Sequence, residues 1–572
     1  MKRIVLSCLL IFGCATVTAS DRWVERTLRS MTIDEKIGQM LMARSGPGNF
    51  RALDSDDLKQ VRRAISEFHV GSLHAGIGEA STIAVTLNEL QRLAKVPLLT
   101  AANLEGGAGY VLYGATRMPL AMSIAATGDD RLAYEAARVT AREGRAAGVN
   151  VNFYPVADVN NNPANPIINI RSFGEDPATV SRFVAAYVRG TQDNGQIATA
   201  KHFPGHGDVA TDSHLQMPVL DVTPQRLQSI ELPPFRSAID AGVEAVMTAH
   251  IWLPQLEAEK GIPATLSKPI LQTLLRDDLR FQGIVFTDSM GMRGVSAAFS
   301  NEDATLRAVE AGADILVTPP DVEASFRTLR DAVRSGRISE KRLDDSVRRI
   351  LTAKARLGLN KPQNRLVDVN ALMQKVGTAA NREVAQRIAD NAITLVKDER
   401  NVLPLRPSSE LRVVQINVLD TRSGWREGPV GRIVAAELPK RFPRAVTVTI
   451  DDQTTPTEYE LVRKLAQMAD ALVVNTFIRV ASYKGSIELN REQLDLLRDL
   501  IRMKKKPLVL NAFGSPFLLN VVPELPAYAV TYDISGTAEV AAVKTLSGEI
   551  PYKGRLPINL SDAYRIGHGL TQ

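Results

Sequence analysis

The segment Ile197-Ala-Thr-Ala-Lys-His-Phe-Pro-Gly-His-Gly-Asp-Val-Ala-Thr-Asp-Ser-His214 decides how the chain is read. It opens as a short apolar run that ends in Lys201 and His202, and Pro204, Gly205 and Gly207 forbid regular structure directly afterwards. A buried strand that finishes in polar residues and spills into an irregular loop is the repeating unit of a parallel α/β sheet. Runs of the same kind recur at 70–75, 97–102, 149–154, 245–250, 283–287 and 313–318. Amphipathic helical stretches, such as the Ala-, Arg- and Glu-rich 130–147, separate several of them. Seven such strands predict an α/β fold with an N-terminal (β/α)8-type TIM barrel over residues 21–358, either irregular or with one strand disguised. Asn103, Lys201, His202 and Asp288 all fall where a strand ends, the end at which such barrels hold their active sites.

Outside the barrel, the polar, proline-interrupted 360–370 begins a linker assigned to 359–385. A helix at 376–392 then leads into a second alternating set, with strands at 393–396, 412–418, 446–450, 471–477, 507–512 and 527–531 and helices at 457–469 and 490–503. This pattern predicts a smaller layered α/β sandwich domain over 386–572. The N-terminus carries Lys2 and Arg3, an apolar stretch over 4–13 and small residues up to Ala19 and Ser20, the layout of a signal peptide over 1–20. Export to the periplasm or medium is expected, with a lipoprotein anchored at Cys14 as the alternative. The apolar stretch is too short for a permanent span and no later run reaches eighteen apolar residues, so no integral membrane span is expected. Both cysteines, Cys8 and Cys14, lie inside the signal, which leaves the mature chain without a disulfide, a thiol nucleophile or a cysteine metal site. The formal charge of +6, from 69 Lys and Arg against 63 Asp and Glu, is a weak bias that argues against a nucleic-acid partner.

Three of the seven histidines, His202, His206 and His214, crowd into the loop that follows the strand. A metal site would need three or four converging ligands, and the helical H-E-x-x-H spacing is absent, so neither metal nor other cofactor is expected. Solvated loop histidines are one remaining reading. The preferred one pairs Asp212 with His214, because a carboxylate two residues away fixes the imidazole tautomer and favours its protonated form, as a general acid that later serves as base requires. The second anchor is Ile284-Val-Phe-Thr-Asp-Ser-Met290, in which Asp288 follows an apolar strand. Alone it is equally readable as a helix cap. Together with the histidine loop it supplies a carboxylate nucleophile and a separate proton donor, the minimum equipment for retaining glycoside cleavage.

Lys201-His-Phe-Pro-Gly-His-Gly207 followed by Asp212-Ser-His214 resembles the signature of glycoside hydrolase family 3, in its β-N-acetylglucosaminidase (NagZ-type) branch. The resemblance extends through Asn152-Phe-Tyr-Pro-Val-Ala-Asp158, Arg171-Ser-Phe-Gly-Glu-Asp-Pro177 and Thr287-Asp-Ser-Met290. Ala392-Ile-Thr-Leu-Val-Lys-Asp398, Leu403-Pro-Leu405 and Gly554-Arg-Leu-Pro557 resemble the opening and closing segments of that family's C-terminal sandwich. It implies that Asp288 is the nucleophile, that Asp212 and His214 form the acid/base dyad, and that Arg171, Lys201 and His202 hold the sugar. The branch usually has an acidic residue where this chain has Asn103, a substrate-binding position; Glu105 either compensates or is structural. The implied activity is that of a retaining, exo-acting β-N-acetylhexosaminidase on peptidoglycan fragments or chitooligosaccharides, a carbohydrate substrate in either case. A β-glucosidase and a phosphorylase are the alternatives within the family, since a neutral histidine does not repel phosphate. A non-catalytic cell-wall carbohydrate-binding protein is the alternative from another class. The second domain is expected to be structural or accessory. His250 is expected to satisfy a buried hydrogen bond rather than line the pocket, and Trp23, Trp252 and Trp425 to serve the core or the interdomain contact.

Overall fold

The computed structural model describes residues 19–44, 56–425, 428–503 and 506–572. The stretch read as a signal peptide, with Cys8 and Cys14, lies outside the described residues except for Ala19 and Ser20, which open the helix Ala19–Ser30.

Eight short strands form the first sheet: β1 (Leu41–Arg44), β2 (Ser72–His74), β3 (Leu99–Ala102), β4 (Val151–Asn152), β5 (Ile197–Phe203), β6 (Ala245–Thr248), β7 (Ile284–Phe286) and β8 (Leu316–Val317). They pair in chain order, every pair parallel, and β8 returns to β1 with Leu316 opposite Leu41 and Val317 opposite Met42. A bridge between Phe286 and Ile315 joins β7 to β8 and closes the ring. The barrel therefore has eight strands rather than the seven read from sequence, and the disguised one is β1. Its Leu-Met-Ala-Arg is made of good helix formers and follows the helix Ile33–Gln39 after one residue, so the pattern reads as more helix. Packing ends that helix: a Cβ on Gly38 would sit 2.3 Å from the carbonyl oxygens of Phe68 and His69. Inside the ring Phe153 meets Phe286 edge-on at 5.2 Å, and His74 stacks on Phe153.

The second sheet has six strands: β9 (Thr394–Asp398), β10 (Val413–Leu419), β11 (Val446–Ile450), β12 (Ala471–Ile478), β13 (Leu508–Gly514) and β14 (Ala527–Val530). Their order is β9-β14-β13-β12-β10-β11, all parallel but for β9. Apolar clusters cover both faces, one built with helices Pro456–Met468 and Arg491–Arg502, the other with Gly536–Ser547. A row of buried amides crosses the sheet: Asn511 donates to Asn475 and Asn475 to Asn417, each at 2.9 Å, and Asn417 donates to the Gly431 carbonyl at 3.1 Å. A slip of one residue in any strand would leave these groups buried without partners, so the row fixes register.

The two domains share apolar core, since Leu120, Met122, Ala126 and Ile170 of the first pack into one of the clusters covering the second sheet. Backbone contact is close at Gly174 (φ +144), where a Cβ would lie 2.4 Å from the Pro557 carbonyl oxygen. Next to it, Glu175 accepts from the backbone and side-chain amides of Asn559 at 2.7 and 2.8 Å.

Glu143, buried on helix Asp130–Ala146, ties the barrel to the segment that leads into the second domain. It accepts from Thr116 N at 2.6 Å, Thr116 Oγ1 at 2.7 Å, Gly377 N at 2.9 Å and Asn381 Nδ2 at 2.7 Å. Glu143→Ala strands four donors, and urea unfolding at pH 7 is expected to show a loss of about 3 kcal/mol. A loss below about 0.5 kcal/mol, the size of an ordinary surface substitution, would show that the clamp is idle.

Candidate active site

A cavity of about 410 Å³ opens at the carboxyl ends of the barrel strands, within the ~300–1,000 Å³ of small-molecule sites. His74, Asn103, Lys201, His202, Asp288 and Thr318 reach it from the strand ends of β2, β3, β5, β7 and β8, and Arg171 and His214 reach it from loops. Its far wall belongs to the second domain, with Trp425, Arg479 and Tyr483 among the lining residues. The second domain, expected to be structural or accessory, thus borders the cavity.

A buried ion-pair cluster forms one side. Glu105 takes a bidentate contact from Arg171, Nε and Nη2 each at 2.8 Å, and a third contact from Lys201 Nζ at 2.8 Å. Lys201 also donates to Asn103 Oδ1 at 2.9 Å, and Arg171 Nη1 to the Ile167 carbonyl at 2.9 Å. Burial alone would raise the Glu105 carboxyl, but the adjacent charges of Arg171 and Lys201 hold it well below the usual range. Burial pulls Lys201 down from its ordinary value, partly opposed by Glu105. The position where the resemblance leads one to expect an acid is thus neutral, and Glu105 supplies the carboxylate that neutralises the two cations.

Asp288 stands two residues beyond β7. Its neighbours are tied down: Thr287 Oγ1 accepts from Val317 N at 2.9 Å, and Ser289 Oγ meets Thr318 Oγ1 at 2.7 Å. Ser289 N donates to Asp288 Oδ1 at 2.7 Å. Burial pushes the carboxyl up, yet His202, His250, His214 and that backbone N–H outweigh it and hold Asp288 at about 2. It is ionised across the neutral range, as a nucleophile must be.

The loop after β5 carries the other half. His214 Nδ1 lies 2.7 Å from Asp212 Oδ1, which also accepts from the His214 backbone N–H at 2.9 Å. With Nδ1 engaged, Nε2 is the nitrogen left for the cavity. Asp212 itself sits behind the imidazole, fully buried, and its second oxygen accepts from Tyr483 N of the other domain at 2.8 Å. Burial raises Asp212 and the His214 hydrogen bonds lower it, with a net shift downward.

Of the residues singled out from sequence, Asp288, His214, Arg171, Lys201, His202 and Asn103 line this one cavity, and Asp212 backs His214. Asp158 was missed: fully buried, it accepts from His202 Nδ1 at 2.8 Å, His202 N at 3.1 Å and His206 N at 2.8 Å, and so shapes the loop's start. His206 packs within the loop, its Nε2 3.0 Å from Ser213 Oγ, and burial pulls it down to about 4. His250 lies beneath the site rather than along it: Nε2 lies 3.0 Å from the Ser289 carbonyl oxygen and Nδ1 lies 2.8 Å from Thr265 Oγ1. Trp425 stands at the interdomain wall with the Arg479 guanidinium 5.8 Å from its ring. Among the described residues, no group of three or more His, Cys, Asp or Glu is placed to hold a metal ion, and no helix is long and apolar enough to cross a membrane.

The sequence profile of the glycosyl hydrolase family 3 N-terminal domain matches residues 32–353. The chain belongs to glycosyl hydrolase family 3. Within this family it is 32% identical to a β-N-acetylglucosaminidase/β-glucosidase of Cellulomonas fimi, over 94% of this chain and 95% of that protein. The solved structure of a glycoside hydrolase family 3 β-N-acetylglucosaminidase from Paenibacillus sp. str. FPU-7 superposes with a TM-score of 0.82 at 34% identity, covering 93% of this chain and 99% of the other. A β-glucoside phosphorylase, BglX, bound to 2FGlc superposes with a TM-score of 0.84 at 27% identity, covering 95% and 97%. The family 3 barrel and the sandwich that follows it thus both have counterparts in solved structures.

The Glu105 cluster makes a pH-dependent contribution of known sign. A carboxyl held low in the fold stabilises it above about pH 4.5, and that contribution is lost as pH falls through the folded value. Glu105→Gln should destabilise the protein at pH 7 by about 3 kcal/mol, because two buried cations lose their counter-charge. The deficit relative to wild type should shrink in acid. Urea unfolding of both proteins at pH 7 and pH 3 checks this, and an equal deficit at both values would refute it.

Proposed function

We propose that the protein is an exported, retaining, exo-acting β-N-acetylhexosaminidase that releases N-acetylglucosamine from the non-reducing ends of peptidoglycan fragments. The observation that carries this reading is the meeting, in one cavity, of an ionised Asp288 on a fixed strand end and a His214 whose Nδ1 is locked by Asp212 at 2.7 Å. The Cellulomonas and Paenibacillus relatives, a β-N-acetylglucosaminidase/β-glucosidase and a β-N-acetylglucosaminidase, support the sugar.

In the first step Asp288 attacks the anomeric carbon while His214 gives its Nε2 proton to the departing glycosidic oxygen, which leaves a glycosyl ester on Asp288. In the second, water attacks the same carbon, His214 takes its proton, and the ester bond to Asp288 breaks. Two inversions retain configuration. Arg171 and Lys201, already paired with Glu105, offer remaining donors to sugar hydroxyls, with Asn103 and His202 beside them. Among the described residues, the cavity is lined by five cationic side chains, Arg44, Arg117, Arg171, Lys201 and Arg479, against two carboxylates, Glu105 and Asp288. That excess suits an anionic aglycone and favours peptidoglycan fragments over neutral chitooligosaccharides. The N-terminal charge and apolar pattern supports an exported enzyme, periplasmic or secreted.

The same cationic lining favours a second reading, phosphorolysis, in which phosphate replaces water in the second step; the likeness to a β-glucoside phosphorylase supports it. One set of assays separates the readings. Wild type is expected to turn over an aryl β-N-acetylglucosaminide faster than the matching β-glucoside. Asp288→Ala should abolish turnover, and His214→Ala should cost about 10²–10⁴-fold on a poor leaving group. Acceleration by phosphate with release of a sugar 1-phosphate would replace hydrolase by phosphorylase. Inactivity of folded wild type on both glycosides would overturn the enzymatic reading in favour of a carbohydrate-binding protein.

A further inference from the structure

The second domain touches the acid/base loop through a backbone group. Asp212 has two carboxylate oxygens, and each domain satisfies one: Oδ1 takes both N–H groups of His214, at 2.7 and 2.9 Å, while Oδ2 takes Tyr483 N at 2.8 Å. Tyr483 adopts φ +66, a left-handed conformation uncommon for a non-glycine residue, and its ring meets His214 edge-on at 5.0 Å. Two residues on, a Cβ at Gly485 would lie 3.0 Å from Leu215 Cδ1, so the two loops pack over several residues.

The Tyr483 loop is itself anchored deep in the second domain. Asp420, fully buried just past β10, accepts from Arg479 N at 2.8 Å and pairs with Lys484, whose ammonium also donates to the Arg479 carbonyl at 3.0 Å. Arg479 in turn donates to the Gly424 and Ser423 carbonyls and lies over Trp425. A continuous set of contacts therefore runs from the second sheet through Asp420 and Tyr483 to Asp212 and His214.

We propose that the Tyr483 backbone N–H is a positioning group for the acid/base dyad, so that docking of the second domain sets the orientation in which His214 transfers protons. The inference rests on the dyad role given to Asp212 and His214 above. With one oxygen held from each side, the carboxylate cannot rotate, and the imidazole bonded to it keeps Nε2 aimed at the cavity. Without the Tyr483 contact Asp212 retains His214 but is free to turn with it. The loss falls on the steps that need a proton, since attack by Asp288 does not involve this loop.

Replacing the Ser482–Tyr483 amide by an ester, through incorporation of the α-hydroxy analogue of tyrosine, exchanges this N–H for an oxygen and leaves the side chain at position 483 unchanged. The expected result is a fall in kcat/KM of about ten-fold on an alkyl β-N-acetylglucosaminide, whose leaving group needs protonation, against less than about two-fold on a dinitrophenyl glycoside, whose leaving group does not. Azide, a nucleophile that needs no general base, should restore turnover of the dinitrophenyl substrate wherever the second step has slowed. Tyr483→Gly keeps the N–H and tolerates the positive φ but removes the ring that meets His214, so its loss on the alkyl substrate should be smaller than that of the ester. Equal losses on both leaving groups, or no loss on either, would overturn the proposal. If wild type turns over neither glycoside, the hexosaminidase reading fails instead.

Discussion

Two cations and one carboxylate share a buried space at the mouth of the barrel, and the geometry around it follows from the need to keep them paired. Glu105 comes from just beyond β3, Lys201 from β5 and Arg171 from the loop that follows β4. None can leave without stranding another's charge in a region from which water is excluded, a cost of several kcal/mol. These three strands are consecutive neighbours in the sheet, so their parallel pairing places the three charges together. The cluster also forms one side of the cavity. Its unused donors and acceptors are fixed before any ligand arrives, which suits hydroxyl groups that both give and take hydrogen bonds.

The seven strands read from sequence correspond to β2 through β8 because each is an apolar, mostly β-branched or Ala-rich run closed by a polar residue. β1 escaped because Leu-Met-Ala-Arg has the composition of a helix and abuts one. Asp288, Lys201, His202, Asp212 and His214 were legible for a simple reason: their chemistry is carried by side chains packed into two short stretches at strand ends. Asp158 was not, since its importance arises only from contacts to residues 44 and 48 positions away. Glu105 stayed ambiguous until its bond to Arg171, 66 positions on, was visible. Tyr483 left no trace at all, because a backbone N–H is common to nearly every residue and the contact spans 271 positions.

The second sheet carries none of the groups assigned to bond cleavage, yet it bounds the cavity with Trp425, Arg479 and Tyr483. Its internal order has to be strict for that purpose. The amide row Asn417–Asn475–Asn511 fixes the register of three adjacent strands, and the loops that reach the barrel spring from the ends of two of them, β10 and β12. Ladder and loops thus belong to one chain of geometric dependence, in which a polar core sacrifices some stability and gains a unique alignment.

The stretch from Arg171 to Pro177 is where that dependence becomes indivisible. Arg171 points into the cavity; three residues later Gly174 lies flat beneath Pro557, and Glu175 grips Asn559. A chain without its last twenty residues would leave Gly174 and Glu175 without these partners, while the Arg171–Glu105 pair, made within the barrel, would remain. The chain's final segment thus closes the frame behind the stretch that carries Arg171.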